Sequence, residues 1–108
     1  MAKKLPPIHP GEQLREEFMI PLGLSSNALA RALNVTPARI NDIVRERRGI
    51  SADTALRLAR YFNTSHQFWL NLQSNYDVQC AEDAAGRVIA RIRPRQGATE
   101  QDALADRI

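Results

Sequence analysis

The chain has 108 residues, 44% of them hydrophobic and 25% charged, with a formal net charge of +3. That length suits one domain around one modest core. No apolar run is long enough to span a membrane and no signal-peptide pattern opens the chain, so a cytoplasmic protein without a membrane partner is expected. A single cysteine, Cys80, excludes an internal disulfide.

The positive excess is local. Residues 25–50 hold five arginines against two acidic residues, whereas the stretches before and after each sum to zero. Such clustering is the electrostatic footprint of a nucleic-acid binder.

Residues 1–8, with two lysines and two prolines, read as a flexible arm. His9-Pro10-Gly11-Glu12 opens the first helix: Pro10 suits a first turn, and Glu12 favours the positive end of the helix dipole. His9 is expected to anchor this N-terminal turn. Leu14 and Phe18 share one face and should meet the core. Arg15, Glu16 and Glu17 are expected in solvent, and Pro21 with Gly23 should end the helix.

Leu24 to Arg48, LSSNALARALNVTPARINDIVRERR, reads as two short helices joined by a tight turn. Ser25 sits at an N-cap position, and Leu29, Ala30 and Leu33 form one face. Asn34 tolerates a left-handed backbone, and Val35 supplies an apolar plug between the helices. Thr36 caps the second helix and Pro37 fits its first position. Ile40, Ile43 and Val44 point inward, which leaves Ala38, Asp42 and Arg45 opposite them, flanked by Arg39 and Asn41. This is the layout of a helix-turn-helix, whose second helix enters the DNA major groove.

The residue types fit base and phosphate contacts. Asn41 suits adenine and Arg39 suits guanine, while Thr36 and Ala38 lie near the groove floor and Ser26 opens the preceding helix. Arg45, Arg47 and Arg48 suit phosphates, which position without specifying. Asp42 either accepts from cytosine or orients Arg39 or Arg45.

After a break at Gly49, Ile50 should tuck into the core. Ser51 caps a fourth helix, which has Asp53 in its first turn and Ala55, Leu58, Ala59 and Phe62 on one face. Arg57 and Arg60 point elsewhere, and either is placed to reach a phosphate. Asn63 ends this helix. Thr64 with Gln67 reads as a capping box for the fifth, with Ser65 as the competing cap and a start near Ser65 or His66. Phe68, Trp69, Leu72 and Tyr76 form an apolar stripe for core or dimer packing; Asn71 and Gln73 have no assignable role.

Residues 79–94 leave two readings open. Ala81, Ala84, Ala85, Val88 and Ile92 fit helical spacing, which Gly86 weakens by about 1 kcal/mol relative to alanine. The alternative is a helix ending at Ala85 and a short strand from Arg87 to Arg93. Pro94 stops either element. Residues 95–108 read as a disordered tail.

Catalytic chemistry is not expected. His9 and His66 are isolated from any second histidine or cysteine at metal-ligand spacing, and Cys80 lacks a basic partner. No glycine-rich phosphate loop is present, so neither metal nor cofactor is expected.

The stretch from His9 to Asp77 closely resembles the HigA antitoxins, within the wider Xre-type helix-turn-helix regulators. The resemblance is carried by His9-Pro10-Gly11-Glu12, by Arg39-Ile40-Asn41, by Arg48-Gly49-Ile50-Ser51-Ala52-Asp53-Thr54-Ala55 and by Phe68-Trp69-Leu70-Asn71-Leu72-Gln73. It implies an all-α, five-helix Xre or lambda-repressor-like domain over residues 9–78. It further implies a homodimer, with residues 79–94 as its dimerisation element, that represses its own operon on palindromic double-stranded operator DNA and neutralises a HigB-like, mRNA-cleaving toxin. The exposed side of the first helix, around Arg15, Glu16 and Glu17, is one candidate toxin-facing surface. The alternative is a stand-alone Xre-type transcriptional regulator without a toxin.

Overall fold

A computed structural model describes residues 5–96 and shows five helices there, with no strand among them. The expected tail beyond residue 96 and residues 1–4 of the expected arm lie outside the described residues. Helix α1 is continuous through three segments, an α turn Pro10–Gln13, a π segment Leu14–Met19 and an α turn Ile20–Leu22. Helices α2 (Ser26–Leu33), α3 (Pro37–Val44), α4 (Ala52–Phe62) and α5 (His66–Ala90) follow.

Pro21 lies inside α1 rather than ending it. A proline there lacks an N–H and crowds the carbonyl four residues back. The widened turn accommodates this, because the Ile20 N–H already reaches back five residues to Arg15. The same turn places Met19 in the core along with Leu14.

Helices α1 to α4 stop in one way. Gly23, Asn34, Glu46 and Asn63 all have left-handed backbones, and the residue after each bonds back to the last turn: Leu24 to Met19, Val35 to Ala30, Arg47 to Asp42 and Thr64 to Ala59. These closures satisfy carbonyls that a helix end would otherwise leave unpaired. Glu46, with φ at 63°, is the unusual occupant, since glycine or asparagine is the common choice.

The core is built from Leu14, Leu29, Ile40, Ile43, Leu58 and Trp69, all fully buried. Trp69 stands at its centre, with ring centroids 4.8 Å from Phe18, 6.1 Å from Phe62 and 5.0 Å from Phe68. Its indole N–H donates to Thr64 Oγ1 at 2.8 Å. Thr64 is therefore engaged with the core instead of forming the capping box: Ser65 caps α5 by accepting from the Phe68 N–H at 3.1 Å, and Gln67 bonds Asn71.

His9 caps α1 as expected, its Nδ1 accepting the Gly11 N–H at 2.9 Å. The ring is buried edge-on against Tyr76, with centroids 4.8 Å apart. Burial pushes the imidazole below its ordinary 6.5, while the charges of Glu46 and Asp77 pull it partly back. The unfolded chain therefore binds the His9 proton more readily than the native one. Stability from this group is complete above pH 6.5 and falls as pH drops below it towards the native value. Melting temperature is expected to decline through that window, and His9→Asn, which still caps but does not titrate, should flatten the decline.

Helix α5 runs 25 residues, from His66 through Gly86 to Ala90, so the strand alternative for Arg87 to Arg93 does not form. The helical spacing of Ala81, Ala84, Ala85 and Val88 outweighs the glycine. At 1.5 Å per residue α5 is about 37 Å long, and its first half alone contributes a fully buried side chain.

Candidate nucleic-acid interface

The α2–turn–α3 unit is locally determined. Ser25 accepts the Ala28 N–H at 3.1 Å and Thr36 accepts the Arg39 N–H at 3.2 Å, so both helices start where their caps dictate. Val35 packs against the core as the plug between them. Ile40 and Ile43 are fully buried, which fixes the rotation of α3 and turns Ala38 and Arg45 outward.

Three contacts from other elements hold this unit. Arg15, expected in solvent, is half-buried: its Nη1 donates to the Val44 carbonyl at the end of α3, its Nε bonds Glu16 at 2.9 Å, and its Nη2 lies 3.7 Å from Glu46. Gln73, for which the sequence offered no role, accepts the Ile50 N–H at 2.6 Å and so ties the exit loop to α5. Arg57, a candidate for phosphate, instead donates to the Leu33 and Asn34 carbonyls at 2.8 and 3.2 Å, closing the end of α2. The guanidinium is spent on the turn because those carbonyls lie within its reach and otherwise lack a protein partner.

The candidate contact residues fall as follows. Thr36, Ala38, Arg45, Arg47 and Arg48 are exposed, whereas Ser26, Arg39, Asn41 and Asp42 are half-buried. Arg45 and Arg47 form no ion pair and the Asn41 amide no hydrogen bond among the described residues, so all three are available to a partner. Asp42 lies 3.7 Å from Arg48, not against Arg39 or Arg45. Arg39 Nη1 bonds Asp53 Oδ2 at 2.7 Å, and Arg57 Nε bonds the same oxygen at 2.9 Å. Those two hydrogen bonds, that of Arg39 foremost, hold the Asp53 carboxyl below its ordinary 3.8. The i, i+4 spacing of Asp53 and Arg57 was a visible signal for half of this network; nothing in the sequence pointed to Arg39 as its other end.

The helix-turn-helix family model matches residues 13–69. A solved structure of Pseudomonas aeruginosa antitoxin HigA with higBA promoter contains a chain 58% identical to this one. It superposes with a TM-score of 0.79 over 82% of this chain and 98% of that one. The chain belongs to the HigA-type helix-turn-helix antitoxins. Two curated relatives agree in sequence. Virulence-associated protein I of Dichelobacter nodosus is 63% identical over 79 residues, 73% of each chain. Antitoxin HigA-1 of Vibrio cholerae is 34% identical over 73 residues, 67% of this chain and 68% of its own. HigA-type relatives are DNA-binding antitoxins and regulators rather than enzymes. Among the described residues no helix is long and apolar enough to cross a membrane.

Proposed function

We infer that the protein is a cytoplasmic, operator-binding antitoxin: a homodimer that represses its own operon and neutralises a HigB-like toxin. The observation that carries this reading is α3 itself, whose outward face and exit turn offer the side chains of Asn41, Arg45 and Arg47 without partners among the described residues, in a chain so similar to an antitoxin solved with its promoter. Asn41 and Arg39 read bases, Thr36, Ala38 and Ser26 lie against the groove, and Arg45, Arg47 and Arg48 hold phosphates. Two such helices fit successive major grooves about one helical turn apart.

The second half of α5 supports pairing. Val78, Ala81, Ala85 and Val88 recur at spacings of three, four and three, the pattern of a two-helix coiled-coil seam. The seam lies on a different face from Trp69, Leu72 and Tyr76. Its large members are exposed among the described residues: Val78 is 53% and Val88 65% exposed. Val88→Glu is expected to give a monomer by light scattering and to weaken promoter binding about a hundredfold or more, through loss of bivalency.

The antitoxin role is tested by growth. Expressing a HigB-like toxin from the same genome should arrest cells, and co-expressing this protein should restore growth. Arrest that persists with the soluble protein present would remove the antitoxin role and leave a stand-alone Xre-type regulator.

A further inference from the structure

The Asp53 carboxylate joins three elements. Arg57 is fixed at one end by the Leu33 and Asn34 carbonyls of the turn. Its Nε grips Asp53 Oδ2, and the same oxygen grips Arg39 Nη1 on the outward side of α3. Helix α4, which carries both Asp53 and Arg57, is anchored in the core by Ala55 and Leu58. An isolated surface ion pair holds a long side chain weakly. This one ends on backbone carbonyls and on a packed helix, so the position of Arg39 is inherited from the fold.

We propose that Asp53 is a specificity-determining positioning residue of the DNA interface, holding the Arg39 guanidinium in the one pose in which it meets its base pair. The proposal rests on the reading that α3 enters the major groove. Arg39 spends Nη1 on Asp53, while its Nε and Nη2 have no partner among the described residues. They form a planar edge able to meet the paired acceptors of guanine. Asp53 also acts against wrong sequences. A carboxylate near a polyanion is repelled unless a guanidinium lies between them, so DNA that draws Arg39 elsewhere exposes that repulsion. An acid that only supported the fold would weaken binding to all sequences together. A positioning acid instead lowers discrimination while leaving non-specific binding equal or tighter.

The test is binding of the full chain to a promoter-derived duplex library randomised one base pair at a time, against scrambled DNA. Asp53→Asn keeps the shape and removes the charge. It is expected to lose about tenfold on the preferred sequence with no loss on scrambled DNA, and to relax the same base pair as Arg39→Ala. The double variant should relax it no further. Arg57→Lys, which keeps a cation but releases Asp53, should relax that base pair too, and Asp53→Glu should restore part of the preference. Wild-type preference retained in Asp53→Asn, or equal losses on all duplexes, would overturn the proposal. A wild-type protein without any sequence preference would overturn the DNA-reading role itself.

Discussion

Trp69→Ala is expected to cost about 3–5 kcal/mol of folding stability, the range for truncating a large buried aromatic side chain. Domains of this size have roughly 5–15 kcal/mol in total, so the variant should lose a large share of its stability and unfold at a much lower urea concentration. The indole is fully buried and touches three phenylalanine rings, Phe18 from α1, Phe62 from α4 and Phe68 from its own helix. Its removal opens a cavity where three helices meet and strands the Thr64 hydroxyl that accepted its N–H. Trp69→Phe fills most of the space without the hydrogen bond and should lose markedly less. Urea unfolding monitored by circular dichroism measures both. A loss below about 1 kcal/mol for Trp69→Ala would mean that α5 is not docked as described.

Gly11→Ala is the second large effect, and it acts on α3 from a distance in sequence. A Cβ on Gly11 would sit well inside contact distance of the Ile43 carbonyl oxygen, near the end of α3. Backbone meets backbone there, so no rotamer change relieves the overlap, and a cost at or above the usual overpacking range of about 1–3 kcal/mol is expected. The strain falls on the turn that Arg15 also clamps through the Val44 carbonyl. Promoter affinity should therefore drop even under conditions where the variant is folded. Gly86→Ala is the control: nothing lies within 4 Å of a Cβ there, and the helix should gain about 0.5–1 kcal/mol. Equal melting temperatures for Gly11→Ala and wild type would contradict the close approach of α1 to α3.

Gly11 and Trp69 also mark how far the sequence could be read. Local signals carried the caps at Ser25, Thr36 and Ser51, the left-handed Asn34 and Asn63, and the apolar faces of α2 to α4, because each depends on residues within one or two turns. The candidate DNA face followed from the burial of Ile40 and Ile43 in the same way. What escaped were interactions across elements. Arg15 looked solvated because its partner carbonyl lies 29 residues away, and Gln73 had no visible role because Ile50 lies 23 residues away. Pro21 looked like a helix end because the π turn that tolerates it has no compositional signature. Arg39 looked like a free base reader; its bond to Asp53 depends on the docking of α4 against α2 and α5.

Discrimination by α3 tests the central claim most directly, through anisotropy titrations of wild type, Asn41→Ala and Arg47→Ala on the protein's own promoter and on scrambled DNA across a salt series. The account predicts that Asn41→Ala loses about 1–3 kcal/mol on the promoter alone. Arg47→Ala should weaken both duplexes alike and lower the salt slope by about one. Equal affinity of the wild type for promoter and scrambled DNA, or an Asn41→Ala loss equal on both, would contradict a base-reading role for this helix.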